Sequence, residues 1–214
     1  GGNVFGWTAT GDAAFRILDR FAEAGGTMVD TADVYSSWVP GHRGGESETL
    51  IGEWLRRGGT GRLMVATKVG YSDGLSAKVI EAACDASLRR LAVERIDLYY
   101  AHKDDPETPL EETLAAFDRL VRAGKVAAIG ASNYDADRLA AAIAISEEAG
   151  LARYTVLQPE YNLMRRDRFE GALQSLCIAR NIGVLPYFGL ASGCLTGKCR
   201  SAADQNKSVR GGRM

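Results

Sequence analysis

The stretch TMVDTADVYSSW, residues 27–38, decides the fold. A short apolar run, Met28-Val29, ends in a carboxylate, Asp30, and a phenol follows five residues later at Tyr35. One strand running into an acid is ordinary. Here the pattern recurs along the chain. The run 63–67 leads into Lys68, 96–101 into His102 and 126–131 into Ser132-Asn133, while 155–158 ends on Gln158 and 183–187 on Tyr187. Polar or aromatic groups thus fall at the C-terminal ends of six different apolar runs. A parallel barrel produces that register, because all its strands open onto one face.

The segments between these runs carry helical periodicity. Residues 12–24, with Asp12 as an expected N-cap, place Phe15, Leu18, Phe21 and Ala22 on one face before Gly25-Gly26 stops the helix. Further helices are expected over 47–56, after a Ser76 cap, and over 109–123, 135–149 and 167–181. With a strand starting near Val4 the count is seven strands, most separated by a helix, as in a parallel sheet covered by helices. An open dinucleotide-binding sheet should carry G-x-G-x-x-G after an early strand, and the sequence has none. We therefore expect an α/β chain of the (β/α)8 TIM-barrel class, one domain over residues 1–214.

Composition narrows the function classes. The chain has 214 residues, 46% apolar and 25% charged, with a formal net charge of −1. That balance gives no electrostatic case for nucleic acid or an anionic membrane. No apolar run approaches the roughly 18–20 residues of a membrane span. Four cysteines without a CxxC pair and two histidines offer little to a zinc site, so no metal is expected. Reduced thiols in a cytoplasmic protein are the plain reading.

The strand-end groups form a chemical set. Buried singly, Asp30 or Lys68 would cost several kcal/mol, so pairing them is economical. An ammonium near Tyr35 should stabilise the phenolate and draw the phenol down from its usual pKa of about 10. Such a phenol suits general acid–base catalysis, with His102 bonding to the same substrate oxygen. Lys68 as a Schiff-base nucleophile is a remote competitor. Trp7 and Trp38, in loops on the same face, could line a substrate pocket or cover the barrel rim.

The segments DTADVY (30–35), GGESETLIGEWL (44–55), ATKVG (66–70), IDLYYAH (96–102), GKVAAIGASNY (124–134), LQPEYNLMRR (157–166) and LPYFGLASGCLTGK (185–198) carry a resemblance to the aldo-keto reductases across nearly the whole chain. The resemblance implies NAD(P)(H)-dependent interconversion of a small-molecule carbonyl and an alcohol, with NADP(H) the expected cofactor and NAD(H) an alternative. It implies Tyr35 as proton donor, Lys68 paired with Asp30 to tune it, and His102 orienting the carbonyl. Ser132, Asn133 and Gln158 match positions that hold the nicotinamide carboxamide, and Tyr187 the residue that stacks on its ring. Leu190, Ser192 and Lys198 belong to a loop along the pyrophosphate. Phe188-Gly189 follows Tyr187 where the family usually has Ser-Pro or a similar pair. The family runs to roughly 300 residues, with an eighth strand and a C-terminal loop. We therefore expect a portion of a longer barrel, incomplete at the C-terminus and at its start. Within the same broad family, a redox-sensing module like the potassium-channel β subunits is the alternative function.

Overall fold

The computed structural model describes residues 1–59 and 63–197. Helices α1 (Gly11–Glu23), α2 (Glu46–Arg56), α3 (Ala77–Leu91), α4 (Leu110–Arg122), α5 (Ala136–Ala149) and α6 (Ala172–Ala179) alternate with strands. The strands are β1 (Met28–Asp30), β2 (Met64–Val69), β3 (Ile96–Ala101), β4 (Val126–Ser132), β5 (Val156–Gln158) and β6 (Gly183–Val184). All neighbours pair in parallel and in chain order. Among the described residues no helix is long and apolar enough to cross a membrane.

Alternation along the strands separates two cores. Val29, Val65, Val69, Tyr99, Ala101, Ile129, Ala131 and Leu157 face the helices and join the large core with Leu18, Ile51, Trp54, Ile80, Leu114, Phe117 and Ile143. Ala66, Leu98 and Tyr100 form a second, smaller cluster with Met28, Ala128 and Val156. These fall at alternate positions of the same strands, as a two-residue period requires, and so line the other face. Asp30, Lys68, Ser132 and Gln158 share that parity.

The sheet is curled. In a flat sheet, four spacings of about 4.8 Å would leave β1 and β5 roughly 19 Å apart. Yet the Gln158 side-chain amide on β5 donates to Asp30 on β1 at 2.9 Å. Only a surface rolled toward closure brings them together, and the six strands make a partial (β/α)8 barrel. Gly130 lets the inside fill. A Cβ there would lie 2.7 Å from the Tyr100 ring and 2.8 Å from the Val156 carbonyl oxygen. Gly130→Ala should therefore cost about 1–3 kcal/mol through overpacking, read as a lower denaturation midpoint with an unchanged m-value.

The structure corrects several expectations. Six strands, not seven, are present among the described residues. The segment around Val4 folds into local turns, with the Phe5 amide donating to the Gly2 carbonyl and the Trp7 and Thr8 amides to the Val4 carbonyl, and its β pairing is an isolated bridge, Phe5 to Ala9. Helix α1 is N-capped by Thr10 rather than Asp12, with no side-chain capping bond. Phe21 is 42% exposed, its ring lying over Gly26 at the helix exit instead of in the core. Ser76 occupies its N-cap position but makes no side-chain bond. The helix expected over 167–181 is broken. A 3-10 turn, Arg166–Arg168, precedes α6, and Gly171 between them has φ +98°. Strand β6 stops at Val184. Pro186 has no N–H for a ladder, and Tyr187 joins the sheet through an isolated bridge to Glu160.

Candidate active site

Beyond β1 the chain stays hydrogen-bonded to β2. The Thr31 amide donates to the Ala66 carbonyl at 2.8 Å and the Asp33 amide to the Lys68 carbonyl at 3.2 Å. A turn follows, closed by the Tyr35 amide on the Ala32 carbonyl, and Ser36, at φ +74°, anchors it through its hydroxyl to the Phe5 carbonyl at 2.7 Å. This route places the phenol beside Lys68. The backbone, and not only the pull of opposite charges, builds the pair.

Lys68 is 1% exposed, and its ammonium donates to Asp30 Oδ1 at 2.8 Å, the Thr31 carbonyl at 2.7 Å and the Tyr35 hydroxyl at 2.9 Å. All three of its protons are thereby used. Burial alone would lower its pKa, but the Asp30 carboxylate and the Tyr35 oxygen outweigh it and hold the amine above the ordinary lysine range. An ammonium so held is no nucleophile, which argues against the Schiff-base reading. The Tyr35 expectation needs correcting. Burial raises its pKa, Lys68 pulls it down, and the net result lies above the usual tyrosine value. The phenol keeps its proton at neutral pH.

His102 directly follows β3, with its amide on the Val69 carbonyl at 2.8 Å, and its own carbonyl accepts from the Asn133 side-chain amide at 2.9 Å. The ring stands 5.9 Å from Tyr35 and 4.9 Å from Tyr71, centroid to centroid. Burial, then Lys68 and Lys103, push its pKa down to about 3. It is a neutral imidazole, able to donate one hydrogen bond.

The second group lies at the ends of β4 and β5. Ser132 donates to the Gln158 carbonyl at 2.9 Å, Asn133 donates to the Ser132 hydroxyl at 3.0 Å, and the Tyr187 hydroxyl donates to Asn133 Oδ1 at 2.7 Å. Asp135, not Ser132 or Asn133, caps α5 by accepting from the Arg138 amide. Both groups open into one cavity of about 1070 Å³, which Asp30, Tyr35, Trp38, His102, Ser132, Asn133, Gln158, Tyr187, Leu190 and Ser192 help to line. Trp7 stands edge-on to Trp38 at 5.7 Å, supporting it from outside the cavity wall. Lys198 lies outside the described residues.

A nicotinamide dinucleotide fits this donor set. Amide and hydroxyl groups at Ser132, Asn133 and Gln158 suit a carboxamide, and Tyr187 offers an aromatic ring beside them. Phe188, Ala191, Ser192 and Gly193 all have φ between +48° and +107°, a tight loop in which the Ala191 and Gly193 amides are taken up by the Phe188 and Leu190 carbonyls. Sequence reading missed two residues near the site. Tyr71 lines the cavity three residues beyond Lys68, and its place after a strand end was the available signal. Asp33, the second acid of DTADVY, has an Oδ1 buried without a hydrogen-bond partner, and burial together with Glu48 raises its pKa to about 7.

Comparison with known proteins agrees with this geometry. The Aldo/keto reductase family model matches residues 1–211. The chain is 36% identical over 206 residues to aldo-keto reductase str7 of Strobilurus tenacellus, covering 94% of this chain and 57% of that protein. It is 32% identical over 209 residues to a putative voltage-gated potassium channel subunit beta of Schizosaccharomyces pombe, covering 90% and 59%. It is 30% identical over 218 residues to an aryl-alcohol dehydrogenase [NADP(+)] of Phanerodontia chrysosporium, covering 94% and 54%. The chain thus spans little more than half the length of these relatives.

Proposed function

Since the chain belongs to the Aldo/keto reductase family, we propose that it reduces an aldehyde or ketone to an alcohol at the mouth of its barrel, with Tyr35 as the general acid. The observation that carries this reading is the single ammonium of Lys68 held between a carboxylate and a phenol that faces the cavity. Ser132, Asn133, Gln158 and Tyr187 would hold a reduced nicotinamide, which would supply the hydride. The protein's own part is the proton. Tyr35 stays protonated until the carbonyl oxygen gains negative charge, then gives its proton to that oxygen. Lys68 stabilises the phenolate left behind, so its attraction counts most in the transition state. Asp30 keeps the ammonium charged and in place, and His102, neutral, donates to the same oxygen. NADP(H) is the proposed cofactor, supported by the cofactor named for the aryl-alcohol dehydrogenase relative.

A redox-sensing role is the second reading, favoured by the likeness to a channel subunit. One experiment separates the two. The purified protein is titrated with NADPH and NADH, then assayed for nicotinamide oxidation with a panel of aldehydes, ketones and quinones. Saturable binding with one alcohol formed per nicotinamide oxidised supports the reductase. Tight binding with no turnover on any carbonyl supports the sensor and removes the proposed chemistry.

A further inference from the structure

We propose that Tyr71 is a positioning residue for His102, its ring, rather than a hydrogen bond, holding the imidazole against Tyr35 and keeping water from it. The inference rests on the reductase reading for its catalytic consequence, but on geometry alone for the contact.

His102 is 7% exposed, and its Nδ1 is buried with no hydrogen-bond partner. Histidines that must present one nitrogen in a fixed direction are ordinarily oriented by a bond to the other. Here that bond is missing, while two rings flank the imidazole. Tyr35 lies at 5.9 Å with an interplanar angle of 72°, and Tyr71 at 4.9 Å with 57°. Tyr71 is the nearer ring. It is 50% exposed, so it forms the outer wall between His102 and solvent. It is steadied in turn by the Lys103 ammonium, 5.3 Å from its centroid, a cation–π contact. The neighbouring carboxylates are engaged elsewhere. Asp104 makes a bidentate pair with Arg138, and Asp105 accepts from Leu75, Glu107 and Thr108.

The charged and titratable groups facing His102 are Tyr35 from the loop after β1, Lys68 from β2, Tyr71 from the loop after β2, and Lys103 beside it. Burial is the largest cause of the lowered pKa, and both lysines add to it. Removing the Tyr71 ring opens the imidazole to water and weakens the largest of these effects. The ring then ionises nearer its ordinary range of about 6.5 and loses its fixed orientation.

Two measurements test this with Tyr71→Ala and Tyr71→Phe. The chain has two histidines, His42 and His102, so imidazole NMR signals of labelled protein are assignable by a His42→Gln control. Between roughly pH 4 and 8 the wild-type His102 signals should stay constant; Tyr71→Ala should bring a titration into this range, and Tyr71→Phe should not. In steady-state assays Tyr71→Ala should lower kcat on the order of 10- to 100-fold, with a smaller change in KM, and Tyr71→Phe should restore most of it. Wild-type His102 titrating near the ordinary value overturns the proposal, as does a Tyr71→Ala protein whose His102 signals match the wild type. If the unaltered protein reduces no carbonyl, the reductase reading fails, and the NMR titration still decides the role of Tyr71.

Discussion

Tyr35→Phe should reduce carbonyl turnover by about 10²–10⁴-fold, the range by which a positioned general acid accelerates reaction, while NADPH affinity stays close to wild type. The substitution removes one oxygen. Fold and ring packing should survive it, because the Tyr35 ring keeps its edge contacts with Trp38 and His102 at 6.1 and 5.9 Å. What is lost is the hydroxyl that is hydrogen-bonded to Lys68. The proposed nucleotide site draws on residues at the ends of β4 and β5 and beyond, so fluorescence titration with NADPH is the control. Turnover unchanged with several aldehydes would remove Tyr35 as the acid. Lost turnover together with lost binding would point to misfolding instead, and circular dichroism separates that case.

Lys68→Met is expected to damage both chemistry and stability. Leaving one partner of a buried ion pair behind costs about 3–5 kcal/mol. Asp30 keeps its bond from Gln158 and some solvent contact, which places the loss toward the low end. The Thr31 carbonyl also loses its donor. Turnover should fall at least as far as in Tyr35→Phe, since the phenolate formed by proton transfer then has no cation. Adding Asp30→Asn should return part of the stability and none of the activity. Denaturant titration with parallel kinetics checks both. The pH dependence has a definite sign. Lys68 binds its proton more tightly folded than unfolded, so its contribution is complete below the unfolded lysine pKa of about 10.4 and is lost as pH rises through the higher folded value. Wild-type stability should therefore fall on the alkaline side of about pH 10, and this part of the fall should vanish in Lys68→Met.

Much of the site was legible because strand ends in a parallel barrel share one face. Asp30, Lys68, His102, Ser132, Gln158 and Tyr187 could be grouped from their positions after apolar runs; the structure places all but Lys68 around one cavity, with Lys68 buried behind Asp30 and Tyr35. What sequence could not supply was depth. The sign of the Tyr35 shift is a contest between burial and one cation, and only coordinates show burial prevailing. The Val4 segment misled because its apolar residues resemble a strand, while the fate of its carbonyls depends on turns that spacing does not encode. The break near Gly171 was hidden for a related reason. The periodicity of 167–181 continues across it, and one backbone angle stops the helix. Tyr71 escaped notice because its importance lies in what it touches, across a gap of 31 residues to His102.

The bond from Gln158 to Asp30 spans 128 residues of sequence, and that separation has a temporal meaning. The ammonium, its carboxylate and the phenol come from the first two strands and the loop between them, within 38 residues of one another. The clasp on the far carboxylate oxygen arrives only when the fifth strand has docked, after the loop-closure entropy of the intervening repeats has been overcome. The contacts that hold Lys68 thus lie close in sequence, while the one that fastens Asp30 from the far side of the sheet must wait for the fifth strand.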